Sequence, residues 1–269
     1  VTEQALSDCA RLKQEGALEP IDYSVVSTDG IPASLVDSDW VGLLTYSLVI
    51  GWQAEKFGEN GPKSWVDFWD TETYTGSRAM FNSVSHALEA ALMADGVDPT
   101  DVNTVLRSED GVDRAFAKLE EIAPDITVWY RGGSQAAQLM ADEEIDFIHI
   151  GNGRVEALNA DAVKVGFTWN QATTDADCLL VPKGAPNREN AMRLINEILS
   201  AEAQARMAVA ISYGPVNANA FNSGLISPEL AAKNNAAPDN LKTQVVIDPS
   251  FYVENFAELQ ERFDTLVQQ

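Results

Sequence analysis

At 269 residues the chain is long enough for one large or two medium domains with real cores, and its 45% hydrophobic, 8% aromatic composition excludes a disordered protein. Lys+Arg 18 against Asp+Glu 41 leaves a formal charge of -23, which repels nucleic-acid phosphates and anionic lipid and argues against nucleic acid as a partner. The acidic residues are spread along the chain instead of gathered in a tail, which fits a salty habitat or selection for cationic ligands equally well. The longest apolar candidate, Trp40 to Trp52, is interrupted by Thr45, Tyr46 and Ser47 and falls short of a membrane span. Val1-Thr2-Glu3-Gln4 has neither the basic start nor the apolar core of a signal peptide, and a mature, processed protein would look the same.

In chain order, Leu6 to Gln14 reads as a helix that Gly16 is placed to end, and Trp40 to Trp52 as a long strand. After a turn at Gly58 to Pro62, Ser64 to Trp69 is expected as a short helix with Ser64 as N-cap and Asp67 three residues on. Ala79 to Phe81 follows as a strand, then Ser85 to Asp95 and Gly111 to Ile122 as helices on their apolar spacing. Ile126 to Tyr130 is a strand, Arg131 to Ser134 a turn, and Gln135 to Asp142 a helix. Next come a strand at Ile145 to Ile150, a glycine turn at Gly151-Asn152-Gly153, a helix at Arg154 to Asn159 and an extended segment at Val163 to Trp169. Helices at Arg188 to Leu199, Ala201 to Ile211, Leu225 to Lys233 and Val253 to Val267 complete the chain. The alternation predicts an α/β fold whose ligands sit beyond the strand ends.

The most informative stretch is Thr174 to Asn187, with Asp175 and Asp177 at i and i+2 on a short strand that a Pro-Gly-Pro turn stops. That spacing puts both carboxylates on one face, where they can meet a cation or simply be solvated. Cys9 and Cys178 would suit an oxidising compartment as a pair, and two buried thiols fit equally well. With His86 and His149 they form no metal-ligand spacing. There is no Gly-x-Ser-x-Gly, His-Glu-x-x-His or P-loop, and Gly151-x-Gly153 lacks the third glycine of a dinucleotide turn. His86, beside a helix start, and His149, inside an apolar strand, read as structural, so the chain is expected not to be an enzyme. A hydrolase using Asp175 and Asp177 stays open as an alternative.

Several segments, in this order, resemble the periplasmic substrate-binding proteins of ABC importers, in the polyamine (spermidine/putrescine) branch: Glu15 to Asp22, Ser64 to Trp69 with Tyr74-Thr75-Gly76, Leu88 to Val97, Ile150 to Arg154, Asp177 to Asn187, Ala191 to Asn196 and Tyr213 to Asn217. The resemblance implies two α/β lobes joined by crossing strands and closing on a ligand in the cleft. Lobe one would hold residues 1–50 and 175–211, incomplete at its N-terminus where relatives carry a further strand-helix-strand, and lobe two 51–174 and 212–269. It further implies a periplasmic monomer without cofactor or metal, partnered by a small ligand and by the membrane subunits of an importer. Both cysteines fall in lobe one on this layout, where a disulfide is geometrically conceivable.

For a polyamine the resemblance points to Asp177, with Asp175 second, as the ammonium anchor, and to Trp169, Trp129 and Tyr46 as aromatic candidates whose alternative is core packing. Ser134, Gln135 and Asn152 could supply neutral hydrogen bonds, Ser134 alternatively acting as an N-cap, while Tyr213 and Asn217 could be ligands or hinge residues. Gly151 stands where relatives often carry an aromatic, and Cys178 where an apolar residue is more usual, so the ligand could differ from spermidine. Arg131 and Arg154 point the other way, since either could clamp a carboxylate and the helix start at Ser134 favours anions. An amino-acid-like or carboxylate ligand is therefore the rival within the binding class.

Overall fold

The computed structural model describes residues 1–268, so Gln269, the last residue of the expected second lobe, lies outside the described residues. Its strands are β1 (Thr2–Ala5), β2 (Trp40–Gln53), β3 (Arg78–Phe81), β4 (Ile126–Tyr130), β5 (Phe147–Gly151), β6 (Val165–Leu180), β7 (Gly214–Pro215) and β8 (Val245–Val246). The chain divides into two compact units, the first built from Val1–Tyr46 and Asp175–Asn240, the second from Ser47–Thr174 and the chain from Leu241 on.

In the first unit β1 runs antiparallel to the end of β6, with Ala5 opposite Asp177 and Thr2 opposite Leu180, and Leu44-Thr45 of β2 pairs with β7. Its core gathers Leu6, Cys9, Trp40, Val41, Leu180, Val181, Met192 and Ile195, all buried. Cys9 and Cys178 form a disulfide, with Cα atoms 6.7 Å apart, joining the helix Leu6–Gln14 to β6. The segment 212–240 was expected in lobe two, yet it packs in the first unit. The β2–β7 pairing holds it there, as do Asn234 Nδ2, which donates to the Tyr213 carbonyl, and Gln204, whose Oε1 accepts from the Val216 amide. The chain therefore passes between the units three times, at Tyr46/Ser47, Thr174/Asp175 and Asn240/Leu241.

The second unit orders β2, β5, β3 and β4, with β5 antiparallel to β2 and the other pairs parallel, and β8 parallel to β6 at Thr173 and Thr174. The helix Val84–Ala94, apolar but for Ser85, His86 and Glu89, is buried almost throughout against Gly111–Ile122 and Pro249–Val267, and the buried Glu89 accepts from the Tyr252 hydroxyl. Ser64 caps its short helix as expected, its Oγ accepting from the Asp67 amide at 3.1 Å. Trp52 lies so close to Gly61 and Gly166 that a Cβ at either would overlap the indole. This close approach, not a positive φ, explains both glycines.

β6 is longer than the sequence suggests. Its sixteen residues join the expected extended segment to the Asp175 strand without a break. Polar Asn170, Gln171, Thr173 and Thr174 hide this continuity in the sequence. In the fold they are used, Gln171 adopting φ 61° while its Oε1 accepts from the Trp65 amide and its carbonyl from Trp65 Nε1.

Arg78, 2% exposed, carries no paired carboxylate at hydrogen-bond range but donates to the carbonyls of Phe68, Gly76, Asp70 and Tyr74 at 2.5–3.3 Å. It ties the loop before β3 into one turn. Arg78→Met leaves those carbonyls buried without a donor, so urea unfolding should show a loss of about 3 kcal/mol or more. A loss under about 0.5 kcal/mol, the range of ordinary surface changes, would show that the loop holds itself.

Candidate functional site

The acidic cluster of the first unit follows from strand alternation. Ala176, Cys178 and Leu180 turn into the core, so Asp175 and Asp177 share the opposite, partly open face of β6. Antiparallel register puts Glu3 of β1, opposite Leu179, on that same face beside Asp177. Tyr46, near the middle of β2, brings its phenol to 3.4 Å from Asp175 Oδ2, and Asp175 Oδ1 accepts from the Ala176 amide at 2.7 Å.

These groups perturb one another. Burial pushes the Asp175 carboxyl up to about 6 against the pull of the Ala176 amide and the Tyr46 hydroxyl. For Asp177 burial is again the largest cause, with the Glu3 charge, a hydrogen bond to Glu3 and the Asp175 charge adding to it, and its carboxyl rises to about 7. Tyr46 is raised well above the ordinary phenol range by burial, then by the charges of Asp175 and Asp177, with Tyr213 also contributing. No lysine, arginine or histidine pairs with Glu3 or Asp177 among the described residues. The face therefore carries two carboxyls, Asp175 and Asp177, raised by burial, beside an exposed Glu3.

In the second unit, the helix Gly133–Ala141 begins one turn after β4 with Gly132 as N-cap and no side-chain cap. Ser134, expected as a cap, instead lies within the first helical turn and is exposed. Gln135 turns its Oε1 back onto the Arg131 amide at 3.0 Å. Arg154 folds against this helix start, its Nε 2.7 Å from where a Cβ on Gly133 would sit. Neither guanidinium, Arg131 nor Arg154, has a carboxylate partner among the described residues. The unpaired Arg154 guanidinium beside uncapped backbone amides makes an anion-favouring corner, with Arg131 one position before the N-cap Gly132.

The remaining candidates separate by surroundings. Asn152 is not in a turn: it opens the helix Asn152–Ala160, is buried, and its Oδ1 accepts from the Ser47 amide at 3.0 Å. Trp169 is half-buried, edge-on to Phe167, whereas Trp129 packs edge-on to Phe263 at 5.4 Å against the core. Tyr213 is half-buried at the rim of the first unit's core. Asn217 is buried, donating to the Leu199 carbonyl and accepting from the Asn219 amide, an inward-facing turn residue. His86 Nδ1 lies 2.7 Å from Thr173 Oγ1, and burial lowers His86 to about 3 and His149 well below the imidazole range. Both rings are neutral core members.

Glu3 was not singled out from sequence. Its signal is the alternation Glu3, Ala5 in a strand that lies opposite Leu179 and Asp177, and only the pairing reveals it.

Comparison with known proteins matches residues 1–238 to the model of the family described as bacterial extracellular solute-binding protein. The gamma-aminobutyric acid-binding protein of Pseudomonas aeruginosa is 31% identical over 268 residues, covering 98% of this chain and 74% of that protein. The spermidine/putrescine-binding periplasmic protein of Escherichia coli is more distant, 25% identical over 239 residues, 85% of this chain and 66% of that protein. Among solved structures, the PBP MotA from A. tumefaciens B6 in complex with glucopine superimposes with a TM-score of 0.91 at 34% identity, covering 98% of this chain and 82% of that one.

Proposed function

The chain belongs to the family of bacterial extracellular solute-binding proteins, and from that premise we propose that it captures an amino-acid-like ligand bearing an ammonium and a carboxylate for an ABC importer. As a member of that family it binds a solute and performs no chemistry, so the hydrolase alternative falls away. In the first unit Asp177, with Asp175 and the Tyr46 hydroxyl on the same face, offers acceptors suited to an ammonium, and in the second unit Arg154, Arg131 and the amides at the start of Gly133–Ala141 offer donors suited to a carboxylate. Its place of work is the periplasm, and its macromolecular partner is the importer's membrane subunits.

The observation that carries this reading is the unpaired arginines. In a chain of charge -23, two guanidiniums without a carboxylate partner at an uncapped helix start are more than a dication would need. A polyamine, the first expectation, would use the acidic face and leave the arginines unused. The relatives support the shift: the P. aeruginosa protein is named for gamma-aminobutyric acid and the A. tumefaciens structure holds glucopine.

Calorimetry should show 4-aminobutanoate or glucopine binding at least about tenfold more tightly than putrescine or spermidine, a difference of about 1.4 kcal/mol. Arg154→Ala should remove that preference while leaving putrescine affinity unchanged. Putrescine binding more tightly than every carboxylate-bearing probe would restore the polyamine reading.

A further inference from the structure

The chain has two histidines, and the fold buries both in the second unit, His86 at 3% and His149 at 0% exposure, with ring centroids 6.1 Å apart. Thr173 Oγ1 of β6 stands between them, 2.7 Å from His86 Nδ1 and 3.5 Å from His149 Nε2. His149 Nδ1 is buried and has no hydrogen-bond partner among the described residues. Trp65 lies edge-on to the His149 ring at 4.9 Å, and Phe81 edge-on to His86 at 6.4 Å. His86 itself holds a left-handed backbone, φ 73°, where the helix Val84–Ala94 is kinked at its start. Such a conformation carries a free-energy cost and persists only while the surroundings impose it. The titratable groups around the pair are few. β4 contributes Tyr130, whose hydroxyl donates to the His149 carbonyl, while β2 sets Ile50 opposite His149 and β8 sets Val245 opposite Thr173. One turn along the helix from His86, Glu89 Oε1 accepts from the Tyr252 hydroxyl at 2.7 Å, and Asp146, just before β5, is paired with Lys56.

We propose that His86 and His149 form an acid-sensitive latch: proton uptake by the pair frees the kinked helix start at His86 from β5 and β6 around Thr173, and the second unit opens there. The geometry supplies the cause. An imidazolium has an N–H on both nitrogens, so a proton on His149 leaves an N–H at Nδ1 facing no acceptor in a dry core. A charge on either ring also lies 6.1 Å from the other, which opposes a second one. Burial accordingly lowers His86 to about 3 and His149 well below the imidazole range, the His86 charge adding to the latter. The unfolded chain, whose histidines titrate near 6.5, then binds more protons below that pH than the folded one. The latch is thus fully closed above pH 6.5 and loses stability as pH falls from there toward 3. The first unit runs the other way, because the raised Asp175 and Asp177 hold their protons more firmly when folded. β5 continues directly into the helix Asn152–Ala160, so the strand released by acid is the one that leads to Arg154 and the anion-favouring corner.

The test is urea unfolding of the ligand-free chain followed by fluorescence in Trp40→Phe, where every remaining tryptophan belongs to the second unit. From pH 7 to pH 5 the unfolding constant of that unit should rise by between two and three powers of ten, roughly the linkage of two histidines. His149→Gln, or His86→Asn, which keeps a residue tolerant of left-handed backbone, should reduce the rise to about twentyfold. The double variant should show almost none. Hydrogen exchange on the unaltered protein gives a reading that needs no variant to fold. Corrected for intrinsic rates, the amides of β5 and β6 around His149 and Thr173 should lose at least about tenfold of their protection over the same range. Protection and unfolding that do not change from pH 7 to 5, or a double variant as pH-sensitive as the parent, overturn the latch. No ligand enters these measurements, so that failure leaves the proposed function standing.

Discussion

Asp177→Asn is expected to weaken amine binding at least about thirtyfold while making the empty protein more stable at pH 8. Truncating one partner of a desolvated charge pair costs about 2–5 kcal/mol, and the lower end corresponds to roughly thirtyfold. Stability moves the other way because of linkage. The folded carboxyl is raised, to about 7 from 3.8, so the native state holds this proton more firmly than the unfolded chain. Its contribution is fully present below pH 3.8 and is lost as pH rises through 7, leaving a strained carboxylate at pH 8. Asparagine keeps the shape without that charge. Titration calorimetry and thermal melts at pH 5 and 8 read both effects. An unchanged affinity would remove Asp177 from the ligand, and a melting temperature that falls at pH 8 would contradict the burial argument. Asp175→Asn, farther along the face and already bonded to Ala176, should weaken binding less.

Opening the Cys9–Cys178 disulfide should destabilise the first unit by about 3–5 kcal/mol, the range for a bond closing a long loop. The two cysteines are 169 residues apart in sequence, and the loop between them contains the main segment of the second unit, Ser47–Thr174. If that segment stays folded while the first unit opens, less chain entropy is recovered and the loss sits at the lower end. Trp40 is the one tryptophan of the first unit, so the fluorescence difference between the wild type and Trp40→Phe isolates the transition of interest. The Cys9→Ser, Cys178→Ser double variant should show that transition at clearly lower urea. Two free thiols in denatured, air-purified protein, or coincident urea curves, would dismiss the bond as a source of stability.

Motif order does not separate a polyamine from an amino-acid-like ligand. An acidic anchor such as Asp177 serves the ammonium of a polyamine and of an amino-acid-like ligand alike. What separates the readings is Arg154 lying over Gly133, 21 positions apart, with Arg131 at the same helix start. Both arginines are visible in the sequence as residues able to clamp a carboxylate. Their lack of an acidic partner is visible only in the fold.

Elements whose causes are local were legible from the chain alone. Leu6–Gln14, Gly111–Ile122 and Ala201–Ile211 have the bounds that their apolar spacing and flanking residues predict, as does the strand Ile126–Tyr130, and Ser64 caps as its spacing to Asp67 suggests. The sequence likewise placed Asp175 and Asp177 on one face, because strand alternation needs no partner to operate. Tertiary structure decided the rest. β6 runs unbroken through Gln171 because Trp65, 106 positions away, satisfies that residue's amide and carbonyl oxygens. Residues 212–240 join the first unit through pairing with Leu44-Thr45. Cys9 meets Cys178, and β1 brings Glu3 opposite Leu179 onto the face of Asp177, through a strand register that no local pattern encodes, and burial on that face is what raises the Asp177 carboxyl.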